Sequence, residues 1–295
     1  MCKRPAIRAH SVQNARCLDL LVDSGHVIAL THRLNMDEGV LIDFAKVGRN
    51  KATTFAGLCE SHDRELFAPI ETQPLALDDS SQLFLLAYRA VLFELHATCA
   101  AGALLHAAYA KRVELGIDPK GKLSPAGQYA TERMAIAFET NLYKLRFDQA
   151  LTSGDTAFLL HDVSLLEVSR PTVAASALIS LDGVANDEGD VVRICLTVLP
   201  VDQTRIAAVL SYLPEDAPLA RVHLDRIITT RGAHQMYELS RRIINHCSNF
   251  VIAPHYFDSW AQRKRDTIRE YFVRTIRVGD LAVEDPDLML FESAA

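Results

Sequence analysis

Apolar and polar positions fall into three patterns along the chain. The first covers Cys17 to Val22, His26 to Leu30 and Val40 to Phe44, short apolar pieces broken by Gly25, Gly39, Gly48 and Gly57. Such pieces predict short strands and turns. The second begins at a polar joint, Asp78, Asp79, Ser80 and Ser81, before a long apolar run. Side-chain oxygens at such a joint accept the orphan amides of a helix start, so the pattern predicts a helix over 81–115, stopped by Gly116 and Pro119. Ser124-Pro125 opens another helix, to about Gly154, with the proline in the first turn where its missing N–H costs nothing. The third pattern is β-rich. Thr172 to Leu181, Val191 to Leu199 and Arg205 to Leu213 alternate with turn signals at Asn186 to Gly189 and Pro200 to Gln203, predicting an antiparallel meander. Leu219 to Thr229 and His234 to Cys247 predict helices, Phe250 to Ala253 a short extended piece, and Tyr256 to Val273 a last amphipathic helix.

The sum is an α+β chain. A boundary near 72–80 is expected to divide an irregular segment, 1–72, from a larger unit, 80–295. With 295 residues, 49% hydrophobic and 23% charged, the composition excludes a disordered tail, a collagen-like repeat and a small disulfide-stapled scaffold. The run from Leu83 to Ala110 is long enough to raise the question of a membrane. Arg89 and Glu94 interrupt it, each costing roughly 2.5–3.5 kcal/mol at the centre of an inserted helix. A buried core helix is expected there, and no membrane partner.

A net charge of −6 excludes a broadly basic nucleic-acid coat, so any such contact must be local. Lys3, Arg4, Arg8 and Arg16 precede the first acid, Asp19, and Lys46, Arg49 and Lys51 form a second basic knot. The six cysteines are scattered, and the start lacks the apolar stretch of a signal peptide. A reducing cytoplasm is expected, where cysteines near histidines point to metal before disulfides.

The most specific chemical signal is Cys59-Glu60-Ser61-His62. A C-x-x-H spacing lets both side chains of one turn reach one ion. Zinc takes four N or S ligands in a tetrahedron, so a partner from a separate segment is needed, with Cys2, His10 and Cys17 as candidates. Gly57 is expected to allow a tight turn before Cys59. Asp63, Glu65, Leu66 and Phe67 read as a helix start. No nucleophile elbow, P-loop or dinucleotide-binding glycine pattern occurs.

The stretches PAIRAHSVQNARCLDLLVDSGHV (Pro5 to Val27) and GRNKATTFAGLCESHDRELFAPIE (Gly48 to Glu71) resemble a group of uncharacterised bacterial proteins, as does NHCSNFVIAPHYFDSW (Asn245 to Trp260). At its N-terminus that group is similar to HNH-type, treble-clef zinc proteins. Its pattern there has two cysteines, a Ser/Ala-His-Ser segment and a Phe-Gly-Leu/Phe-Cys-x-x-His-Asp segment. Cys2 matches the second cysteine, and only Met1 precedes it. Either the reading frame starts further upstream or the ion has one ligand fewer.

The resemblance implies a small zinc-knuckle, treble-clef-like module at the N-terminus, followed by a helical layer and the meander. It implies Zn2+ on Cys2, Cys59 and His62, with His10 as general base. Asp63 would hold a catalytic Mg2+ or Mn2+ in a nuclease, and Arg8, Lys46, Arg49 and Lys51 would hold phosphates. The middle asparagine of an HNH site has no counterpart, since Thr54 or Phe55 stands at that position. Two readings therefore stay open. One is a nucleic-acid-directed, metal-dependent endonuclease, of the kind found in phage-defence or mobile-element loci. The other is a non-catalytic structural or protein-interaction protein in which zinc only stabilises the N-terminal module.

Overall fold

A computed structural model of the chain describes residues 2–13, 16–35, 39–279, 281 and 283–294. The elements in chain order are β1 (Arg8–His10), β2 (His26–Asn35), β3 (Gly39–Gly48), β4 (Thr54–Ala56), α1 (Glu60–Thr72), α2 (Ser80–Glu114), α3 (Pro125–Ser153) and β5 (Leu160–Glu167). They continue with β6 (Val173–Ala185), β7 (Val191–Pro200), β8 (Arg205–Tyr212), α4 (Ala217–Thr229), α5 (Gly232–His246), β9 (Phe250–Ile252), α6 (Pro254–Asp258) and α7 (Gln262–Val278). The protein is α+β. Asp79 caps α2 by accepting from the amides of Ser81 and Gln82. Ser124 caps α3, which ends on Gly154 in the left-handed conformation.

Seven strands form one antiparallel sheet in the order β3-β2-β9-β6-β7-β8-β5. The central strands are apolar on both sides. Val192, Ile194, Leu196 and Val198 of β7 join one core with α4, α5 and α7, while Cys195 and Leu199 join another with α1, α2 and α3. Strict alternation sends neighbouring side chains to opposite faces, so a continuous apolar run here means a strand covered twice. The result is three layers, helices on each side of the sheet.

The polar joint at 72–80 is the turn between α1 and α2. Apolar side chains from before it, Leu18, Leu21, Val27, Phe55 and Phe67, share one cluster with Phe84, Val91 and Phe147 from after it. Strands from both sides also meet, since Ile252 of β9 pairs with Ile28 of β2 and with Val173 of β6. Phe44 of β3 packs on Phe257 and Trp260, with ring centroids 5.0 and 6.0 Å away.

α2 is the one described helix long and apolar enough to cross a membrane by length and composition, and 56% of its most apolar window is buried inside the protein. Residues 82–92 are buried, Arg89 among them. Beyond them α2 and α3 form an arm that leaves Leu104, Phe138, Leu142 and Leu145 exposed.

Candidate functional site

β1 and β4 make a separate two-stranded ladder, with Arg8 opposite Ala56 and His10 opposite Thr54. At its open end the Ile7 amide donates to the Leu58 carbonyl at 2.8 Å. This pairing brings Cys2 beside Cys59. Cys59 is the N-cap of α1, and His62 lies in the first turn of that helix.

The Sγ atoms of Cys2 and Cys59 are 3.6 Å apart, and Cys59 Sγ is 3.5 Å from His62 Nδ1. All three donor atoms lie within 4.8 Å of one another, the one such group among the described residues. Zinc bond lengths in a tetrahedron give edges of about 3.8 Å between sulfurs and about 3.6 Å from sulfur to nitrogen. The two edges at Cys59 match those lengths, so the three donors could hold one metal ion. The Cys59 thiol is pulled down to about 6, first by the Ser61 hydroxyl and then by the His62 backbone. A thiol at a helix N-terminus is favoured as thiolate, the form that ligates. The Arg4 amide donates to Cys2 Sγ at 3.5 Å, the kind of outer contact that orients a ligand.

Of the other two expected partners, neither joins this group. Cys17 is buried in the apolar cluster, hydrogen-bonded to the Gln13 side chain at 3.6 Å, and burial pushes its thiol up to about 12. His10 sits at the far end of the ladder, about 10 Å along the strand from Ile7. Gly57 also differs from expectation. Its φ is not in the left-handed region, and what requires glycine is space, because a Cβ there would meet the Phe55 ring at 2.6 Å. That ring packs on Phe93 of α2.

His10 is half-buried. Its Nε2 lies 3.2 Å from the Arg49 carbonyl oxygen. A carbonyl only accepts, so the neutral ring carries its proton on Nε2 and presents Nδ1 as a base. Burial first of all lowers the His10 pKa and so favours that neutral form, while the Arg49 carbonyl bond opposes it. Backbone strain lies beside it, for Thr53 holds a left-handed φ of 56°.

Asp63, one step of 100° on from His62, is not among the three converging donors. It is half-buried, and burial raises its carboxyl above the ordinary range, while Arg89, Glu71 and His10 act on it electrostatically. Glu71 and Arg89 act on His10 as well. Arg89 pairs with Glu71 and stands 4.0 Å over the Phe67 ring. Glu71 and Arg89 are the participants that sequence reading missed. The available signal was an arginine inside a buried apolar run, which demands a carboxylate partner.

Of the basic residues, Arg8 projects from the same ladder face as His10, by the two-residue period of a strand. Lys46 and Lys51 are exposed. The Arg49 side chain is paired with Asp19, while its carbonyl serves His10. Arg49 and Lys51 line one open groove with Gly25 and His26. Lys46 points out from β3 and does not line it. No family model, curated protein or solved structure matches the chain.

Proposed function

We propose that the protein is a zinc-stabilised, treble-clef-like and HNH-like protein that acts on nucleic acid as a metal-dependent endonuclease. The observation that carries this reading is the convergence of Cys2, Cys59 and His62, whose donor atoms lie within 4.8 Å of one another. Those residues would hold Zn2+, tying the segment before β1 to the start of α1. The neutral imidazole of His10, oriented by the Arg49 carbonyl, supports the catalytic half. It takes a proton from a water whose oxygen bonds to phosphorus as the bond to the leaving sugar oxygen breaks. Asp63 would hold Mg2+ or Mn2+, which would supply charge stabilisation for the phosphate. Arg8 and Lys51 would hold a backbone phosphate.

The test is incubation of the purified protein with DNA and RNA in Mg2+ or Mn2+. Nicking that His10→Ala abolishes, with the melting temperature unchanged, supports the reading. No cleavage across substrates and metals leaves the second one, that zinc only fixes the N-terminal segment of a protein-interaction protein. One observation favours that alternative: the charges acting on Asp63 include those of the Arg89–Glu71 pair, a structural setting.

A further inference from the structure

All six cysteines of the chain are free. Cys17 and Cys195 are buried in the apolar cluster on one side of the sheet, and Cys247 in the cluster on the other. Cys99 is exposed on α2. Cys2 and Cys59 stand apart from these four, because their sulfurs are 3.6 Å from each other across 57 positions of sequence.

The two members of this pair are placed unequally. Cys2 is exposed, in a segment before β1 whose residues 2–6 are all exposed and form no helix or strand. Cys59 is 6% exposed and fixed as the N-cap of α1. A disulfide holds its sulfurs at about 2.05 Å, so about 1.5 Å remains to be closed. Cys2 lies upstream of the Ile7 amide that anchors the chain to the Leu58 carbonyl. That leading segment can supply the movement while α1 stays in place.

Exposure sets the order of an oxidation by peroxide. The Cys2 thiolate is reached first. Its sulfur bonds to one peroxide oxygen as the O–O bond breaks, giving a sulfenic acid and a hydroxide that takes a proton from solvent. The Cys59 thiolate, already in contact, then attacks the Cys2 sulfur. The S–S bond forms as the S–O bond breaks, and a second hydroxide leaves and is protonated to water. Two electrons have passed from the two sulfurs to one peroxide. An accessible cysteine beside a resolving cysteine is the arrangement that oxidises reversibly. Joined sulfurs no longer ligate as thiolates, and His62 is left as the remaining donor of the three, too few to hold zinc. The covalent bond then ties the leading segment to α1 in place of the ion.

We infer that Cys2 and Cys59 form an oxidative modification site, which a peroxide closes into a disulfide, expelling the metal held with His62. The expulsion rests on the zinc reading above; the disulfide does not.

The test treats the zinc-loaded full chain with a small molar excess of hydrogen peroxide. A metallochromic indicator follows zinc release, and mass spectrometry of unreduced peptides maps the bonds. The expected result is a Cys2–Cys59 disulfide with about one zinc released for each, both reversed by dithiothreitol. Cys99→Ser leaves both unchanged, and His62→Ala, which weakens zinc binding, still forms the disulfide. The oxidised chain melts above the reduced, metal-free chain, since a cross-link over 57 positions restricts the unfolded state. Three results each overturn the inference: sulfinic or sulfonic acid at Cys2 with no disulfide, a disulfide to Cys99 in its place, or a Cys2–Cys59 disulfide that leaves zinc bound. If the chain binds no zinc, the zinc reading falls, and peroxide treatment of the metal-free chain decides the modification site: a Cys2–Cys59 disulfide upholds it, and its absence overturns it.

Discussion

The carbonyl oxygen of Thr53 accepts both the backbone N–H of Ser11, at 2.9 Å, and its hydroxyl, at 3.0 Å. Thr53 makes these bonds from a left-handed backbone with φ 56°, and its own hydroxyl is buried without a partner among the described residues. A β-branched residue in that region is strained by about 1–2 kcal/mol. Thr53→Gly should therefore raise stability by about 0.5–1 kcal/mol after the entropy cost of glycine. Thr54→Gly, one residue on and inside β4, should lower it by about the same amount. Urea denaturation of the two variants reads the opposite signs. Equal destabilisation would show that the left-handed conformation carries no strain.

Metal removal should loosen the N-terminal segment. A metal present at about 100 times its Kd adds about 2.7 kcal/mol to a fold that alone binds it. Elemental analysis should find one zinc per chain, lost in Cys59→Ser, and a chelator should lower the melting temperature of the parent but not of that variant. A parent protein free of metal after growth with added zinc would refute this.

Glu94 gives a pH dependence with a definite sign. Burial alone raises its carboxyl from the ordinary 4.5 to about 7. The folded state thus keeps a proton that the unfolded state releases. Its contribution is full below pH 4.5 and is lost as pH rises to about 7. Glu94→Gln should gain stability relative to the parent between pH 4 and pH 8, by at most about 3 kcal/mol. His10 has the opposite sign. Its lowered pKa gives a contribution present above its ordinary 6.5 and lost as pH falls. Guanidinium melts across this range on Glu94→Gln and parent separate the two, and a constant difference would reject the assignment.

Two phenylalanines on α3 should behave differently. Phe147 is fully buried, with ring centroids 5.4 Å from Phe84 and 5.3 Å from Phe158. Phe138 is 63% exposed on the outer side. Phe147→Ala should cost about 3–5 kcal/mol through lost burial and a cavity. Phe138→Ala should stay within about 0.5 kcal/mol. A large cost for Phe138→Ala would mean that the arm is covered in solution.

The elements with local signals were legible. Asp79 and Ser124 announce α2 and α3 because caps act within one turn, and Asn186 to Gly189 marks the turn between β6 and β7. The Cys59–His62 pair and Cys2 could also be found, since metal-ligand spacing is short-range chemistry on one side and a rare donor on the other. β5 escaped, as an edge strand whose residues Leu160 to Glu167 are exposed or half-buried except Leu166 and carry no continuous apolar run. The expected helix over Tyr256 to Val273 is two helices, divided after Asp258. Arg89 looked like an interruption in an apolar run, because its partner Glu71 is 18 positions away and on another helix. The place of β2 in the main sheet rests on β9, three residues long, and on tertiary pairing that no local pattern encodes.

β9 separates β2 from β6, so the hairpin finished at Gly48 has no berth in the sheet until Ile252 has been made. At ~5–20 residues per second of synthesis, the nascent chain waits about 10–40 s with that strand edge uncovered. Its earliest-made piece is thus among the last to dock, which makes the growing polypeptide a natural client for chaperones that shield open edges.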